Sequence, residues 1–226
     1  MPTTLQTVTI SFPEISLHPS AGHKLRGYFG NLFKEHSPLL HNHYASGGHI
    51  YRYPLVQYKV VQHTPMLLGL GEGAQLLVEL FLQMAELELD GRAFPVRQKN
   101  IRSARFPVGV ATDLFEYRFE TLWMALNQQN HREYLQKNDT ERAQMLERVL
   151  RGNMLAFLKG ADHFENQQVL VKAHLQQEHT QFKDQKMLAF HGTFTTNLQL
   201  PPLVGLGKSV SRGFGAISPA DRPVPV

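Results

Sequence analysis

Residues 107–120 read PVGVATDLFEYRFE. In the second half of this stretch Phe115, Tyr117 and Phe119 alternate with Glu116, Arg118 and Glu120, the two-residue period of a strand with one packed face and one wet face. The first half, PVGVATD at 107–113, keeps no such period and holds a proline and a glycine, so it reads as a joint after which the pattern of elements starts again. The number of domains therefore turns on what stands to either side.

Upstream, Val8, Ile10 and Phe12 alternate with Thr7, Thr9 and Ser11 as a half-buried strand, broken by Pro13 and Pro19. HKLRGYFGNLFKEH (23–36) sets Leu25, Tyr28, Phe29, Leu32 and Phe33 at helical spacing. A polar stretch, SPLLHNHYASGGH (37–49), leads into the β-rich run IYRYPLVQYKVV (50–61). A second helix follows over about residues 74–86, with Leu77, Leu80, Phe81 and Met84 in one stripe. Asp90-Gly91 signals a turn, and KNIRSARFPV (99–108) a further strand. Downstream of the joint, residues 127–160 are helical. Asn138 and Glu141 have capping-box spacing there, and Met145, Leu146, Val149, Leu150, Phe157 and Leu158 form the apolar face that follows. Two more strands lie near 168–177 and 187–199. Each half mixes strands and helices in the same order, so the expected class is α+β: tandem ferredoxin-like (RRM-like) domains with antiparallel sheets, over 1–110 and 111–226.

Composition narrows the partners. The 226 residues carry 23 Lys and Arg against 19 Asp and Glu, a net charge of +4 that permits a polyanionic partner without demanding one. There is no cysteine, which excludes disulfides, thiolate metal sites and a cysteine nucleophile and fits a reducing compartment. The N-terminus lacks a basic segment followed by an apolar core, and the most apolar region, 66–85, is interrupted by Glu72 and Glu79. The expectation is a cytoplasmic protein with no membrane partner.

The most specific stretch is PPLVGLGKSVSRGFGAI (201–217). A Walker loop would need glycine where Pro202 stands, and a dinucleotide fingerprint from Gly205 would need glycine at Val210. RGFGAI approaches the RNP1 pattern but puts Ala216 and Pro219 where stacking aromatics are required. What remains is the spacing G-h-G-x5-G-h-G, with h apolar, which 17 glycines in 226 residues produce by chance about 0.001 times. Paired glycines let backbone N–H groups approach an anion, with Lys208 and Arg212 beside them, or simply allow a tight turn between buried elements.

This loop resembles the signature of the CRISPR-associated endoribonucleases that process precursor CRISPR RNA, the Cas-six family of the RAMP superfamily. LRGYFGNLF (25–33) is similar to that family's first-helix segment, and HNHY (41–44) stands where its subtype b carries histidines. The resemblance implies RNA cleavage without metal or cofactor. The 2′-hydroxyl beside the scissile phosphate attacks in line, leaving a 2′,3′-cyclic phosphate or 3′-phosphate and a 5′-hydroxyl.

Such a reaction needs a base, an acid and positive charge, which histidine and lysine supply near neutral pH. His41 and His43, two residues apart, would face the same way on extended backbone. Twelve histidines give about 0.6 chance pairs at that spacing, so the pair gains its weight from its place after the first helix. His43 is expected as base or acid with His41 as its partner, the roles interchangeable, and Tyr51 or Lys34 as orienting or stabilising groups. The letters His41-Asn42-His43 do not make an HNH nuclease site, whose residues are far apart in sequence. With no cysteine and only Glu35 near, a closed metal site is not expected.

RNA contacts are expected from Gly205, Gly207, Lys208, Ser209, Ser211, Arg212, Gly213 and Gly215. Lys24 and Arg26 on the first helix and the run Arg97, Lys99, Arg102 and Arg105 could follow a phosphate backbone or be solvated surface. The expected partner is CRISPR repeat RNA or precursor crRNA, with other CRISPR-associated proteins and a homodimer left open. Two rivals stand: a non-catalytic RAMP subunit holding guide RNA in an interference complex, and a structural module whose glycine loop packs only against protein.

Overall fold

The N-terminal alternation folds as strand β1 (Thr3–Ser11), which buries Val8 and Ile10 and leads to the equally buried Phe12. Its second face is not wet, since Thr7 and Ser11 are 4% and 3% exposed. Small hydroxyl side chains suit such a place because no ion has to be desolvated. The computed structural model describes residues 3–32, 53–182 and 185–222. It divides into one unit of Thr4–Phe106 with Val210–Gly213, and another of Pro107–Ser209 with Phe214–Pro225 and the first three residues. Both are ferredoxin-like mixtures of helix and antiparallel sheet.

In the first unit, helix α1 (Gly22–Leu32) buries Leu25 and Phe29. The Phe29 ring stacks on Phe12 and on Tyr58, with centroids 6.1 and 5.9 Å away. Strands β2 (Val56–Val61) and β3 (Thr64–Leu70) form a hairpin, and β3 pairs antiparallel with β1, giving the order β2-β3-β1. The sequence pattern shows no strand at β3, and the reason is its turn. Gln62 and His63 take φ of 48° and 64°, the left-handed pair of a primed turn, without the Asn-Gly or Asp-Gly that signals one. Helix α2 (Glu72–Leu80) packs on β3, with Leu77 and Leu80 buried, and gives way to a 3-10 turn. The ribbon β4 (Glu86–Leu89) and β5 (Arg92–Pro95) closes on Asp90-Gly91, as its sequence signal implies.

The stretch 107–113, read as a joint, lies within the long strand β6 (Asn100–Phe119). Its irregularity survives as a register shift between Val110 and Phe115 against β8 (Gln185–Gln199). In the second unit β8 also pairs with β7 (Val171–Phe182), and β6 with the short β9 (Ile217–Pro219), so the order is β9-β6-β8-β7, all antiparallel. Helices α3 (Gln128–Gln136) and α4 (Asp139–Gly160) follow β6 in sequence. The Asn138–Glu141 capping box starts α4, and Met145, Leu146, Leu150, Met154, Phe157 and Leu158 are its buried apolar side chains. Tyr117, Phe119, Trp123, Phe190 and Phe194 form a chain of ring contacts with centroids 5.3–5.9 Å apart. Tyr117 and Phe119 thus serve as core. Among the described residues no helix is long and apolar enough to cross a membrane.

Candidate functional site

The glycine-rich stretch is built by close packing. Gly205 bridges Ala216, and the Leu206 N–H donates to the Gly215 carbonyl, so the two Gly-x-Gly pairs lie side by side as the legs of one loop. Gly205, Gly213 and Gly215 are buried. A Cβ at Gly215 would lie 1.9 Å from the Leu206 carbonyl oxygen, and one at Gly207 would lie 2.6 Å from Nε1 of Trp123. The N–H groups of Lys208, Gly213 and Gly215 donate to the carbonyls of Met124, Val210 and Leu122. These three amides hold the loop to its own chain and are not open to an anion; among the side chains, Lys208 is exposed, and Ser209, Ser211 and Arg212 are half-buried.

Within the first unit, the 3-10 turn at Val210–Arg212 packs on α1 and β2. The approach is close, since a Cβ at Gly22 would stand 2.5 Å from the Arg212 carbonyl oxygen. Arg26, one turn further along α1, is held below its ordinary arginine value, first by burial and then by the charge of Arg212. Beside them Tyr58 has a hydroxyl buried without a hydrogen-bond partner among the described residues, and burial pushes its ionisation up. Two guanidinium groups and one phenol are thereby brought together by residues far apart in the chain.

The other basic residues fare differently. Lys24 pairs with Asp90 in the β4–β5 turn, an exposed contact of little energetic weight. Lys99 donates to the Met84 carbonyl at 3.0 Å. Arg97, Arg102 and Arg105 are exposed, and the strand period puts Arg102 and Arg105 on opposite faces of β6. His41, His43, Tyr51 and Lys34 lie outside the described residues. No group of three or more potential metal ligands occurs among the described residues.

One group was passed over in the sequence. Lys59 is fully buried in β2 and donates to Oε1 of Gln57 at 2.7 Å, and Gln57 donates in turn to the Tyr53 hydroxyl at 2.9 Å. Burial lowers the Lys59 ammonium to about 7. Its signal was a lysine set among Val56, Tyr58, Val60 and Val61 in the strand VQYKVV.

Two domain models match the chain: the Cas6b N-terminal domain over residues 3–106 and the Cas6b C-terminal domain over residues 109–220. A crystal structure of Cas6b is similar at a TM-score of 0.92 and 32% identity, covering 96% of this chain and 100% of that one. A crystal structure of the CRISPR RNA processing endoribonuclease Cas6b is similar at a TM-score of 0.79 and 30% identity, with 96% and 100% covered. An uncharacterized protein of Methanocaldococcus jannaschii is 31% identical over 142 residues, 62% of this chain and 95% of its own. Matched by both domain models along nearly its whole length, the chain belongs to the Cas6b family of CRISPR endoribonucleases.

Proposed function

We propose that this chain is a metal-independent endoribonuclease that cuts CRISPR repeat RNA by 2′-hydroxyl attack and so generates guide RNA. The observation that carries the RNA-binding half is the pairing of Arg26 with Arg212 across two separate segments of the first unit. Two guanidinium groups held near one another concentrate positive charge, and guanidinium groups match phosphate oxygens in pairs. The glycines set the path of the loop, and Lys208, Ser211 and Arg212 supply the contacts. His41 and His43 act as the proton-transferring pair, supported by Tyr51 and Lys34. The domain division expected from the sequence, 1–110 and 111–226, puts the histidines in the first domain and the glycine loop in the second.

The test is incubation with the repeat RNA of the same locus in EDTA, with and without a deoxyribose immediately 5′ of the scissile phosphate. Cleavage should persist in EDTA and stop on the deoxy substrate. His43→Ala should slow it about 100- to 10,000-fold. Cleavage of the deoxy substrate would overturn the mechanism, and binding without cleavage would favour a guide-holding subunit. Arg26→Ala and Arg212→Ala should each weaken binding and flatten its salt dependence.

A further inference from the structure

A second polar feature lies within the second unit, where Lys208 meets helix α3. Asn127, Gln128, Gln129, Arg132, Glu133, Gln136 and Lys208 line an open groove of about 820 Å³. The backbone around Lys208 is unusually constrained. Gly207 takes φ of 95° against the Trp123 indole, the Lys208 N–H is tied to the Met124 carbonyl at 3.0 Å, and Ser209 takes φ of 56°. A non-glycine residue in the left-handed region costs about 1 kcal/mol or more. That conformation fixes where the exposed Lys208 leaves the chain, at the edge of α3.

The groove is lined by the aliphatic stems and polar heads of amide and charged side chains, with no aromatic residue among them, so base stacking on a ring does not account for it. Neither Lys208 nor Arg132 makes an ion pair or side-chain hydrogen bond among the described residues, and Glu133 receives only a long contact of 3.4 Å from Gln129. Amide side chains offer a donor and an acceptor together, which matches the edge of an unpaired base, while a carboxylate accepts from exocyclic amino groups. The flanking cations suit the phosphates on either side. We infer that this groove reads the bases of a short unpaired segment of the RNA substrate, with Lys208 and Arg132 on its backbone and Gln128, Gln136 and Glu133 on base edges. The inference rests on the RNA-processing reading of the protein and adds a sequence-selective subsite to it.

The experiment uses the full chain and repeat RNA blocked by a deoxyribose at the cut site, with each unpaired position replaced in turn by the other bases and by an abasic unit. Lys208→Ala should weaken all these RNAs alike by several-fold and reduce the salt slope by about 0.7, the value for one single-strand phosphate contact. Gln128→Ala and Gln136→Ala should leave the salt slope unchanged and erase base discrimination at one or two positions, where abasic RNA binds wild type and variants equally. Thermal unfolding checks that these exposed substitutions keep the fold. Groove variants that bind and discriminate as wild type does overturn the subsite while leaving the nuclease reading intact. A wild-type chain that binds no RNA overturns both.

Discussion

At Gly207 the backbone φ is 95°, and an added Cβ would stand 2.6 Å from the Trp123 ring nitrogen and 2.9 Å from the Met124 carbonyl oxygen. Neither neighbour can move freely, because the same ring nitrogen donates to Asn153 at 3.1 Å and the same carbonyl accepts the Lys208 N–H. Gly207→Ala should therefore destabilise the second unit by about 1–3 kcal/mol, from backbone strain and overpacking together. Gly152 sits in the middle of α4, with nothing within 4 Å of where its Cβ would be. Gly152→Ala should stabilise by about 0.5–1 kcal/mol, because only the entropic cost of a helical glycine is removed. Urea unfolding followed by the fluorescence of Trp123, the sole tryptophan, reads both. Two glycine-to-alanine changes of the same sign would refute this account of the loop.

Among the elements, α4 owes its start to a reciprocal pair of bonds: Asn138 Oδ1 accepts the Glu141 N–H, and the Asn138 N–H donates to Glu141 Oε2, both at 3.0 Å. Asn138→Ala should cost about 1 kcal/mol in the same urea experiment, and an unchanged midpoint would show the cap to be idle. This cap was legible in the sequence because it is local, as was the Asp90-Gly91 turn. The β2–β3 hairpin was not, since Gln62 and His63 hold left-handed backbone through the pairing of Val56–Val61 with Thr64–Gly69 rather than through their own preferences. The same division runs through the candidate site. The glycine spacing stood out, but its packing against Trp123, Leu206 and Tyr58 depends on residues distant in the chain. The partnership of Arg26 with Arg212, and of Lys208 with α3, is likewise a product of tertiary structure. No periodicity could have disclosed it.

At the scale of the whole molecule, two buried ionisable groups, one in each unit, make stability rise with pH in separate windows and for different reasons. Glu165 lies after α4 with its side chain 10% exposed. Burial alone would raise its carboxyl, but the N–H groups of Val110 and Gln167 and the ring of His163, itself 2.7 Å from the Thr3 hydroxyl, outweigh that and hold it at about 2. A lowered carboxylate stabilises fully above its unfolded value of about 4.5, and that contribution is lost as pH falls toward 2. Lys59 is lowered too, but because burial penalises its charged form. Its ammonium is lowered from 10.5 to about 7, so the unfolded chain binds the extra proton between those values and stability rises with pH across that window. One proton limits the slope to about 1.4 kcal/mol per pH unit. Trp123 fluorescence follows the second unit and should report the acid loss, which Glu165→Ala removes while lowering stability at neutral pH by about 1–3 kcal/mol for the acceptor taken from the Val110 and Gln167 amides. The first unit has no tryptophan and is followed by hydrogen exchange of the β2 amides. Their protection should increase from pH 7 to 10.5 beyond the intrinsic rate correction, and Lys59→Met should flatten that increase. Parallel curves for wild type and Lys59→Met would mean that the amine is charged where it lies, and the buried Lys59–Gln57–Tyr53 chain would have to be open to solvent.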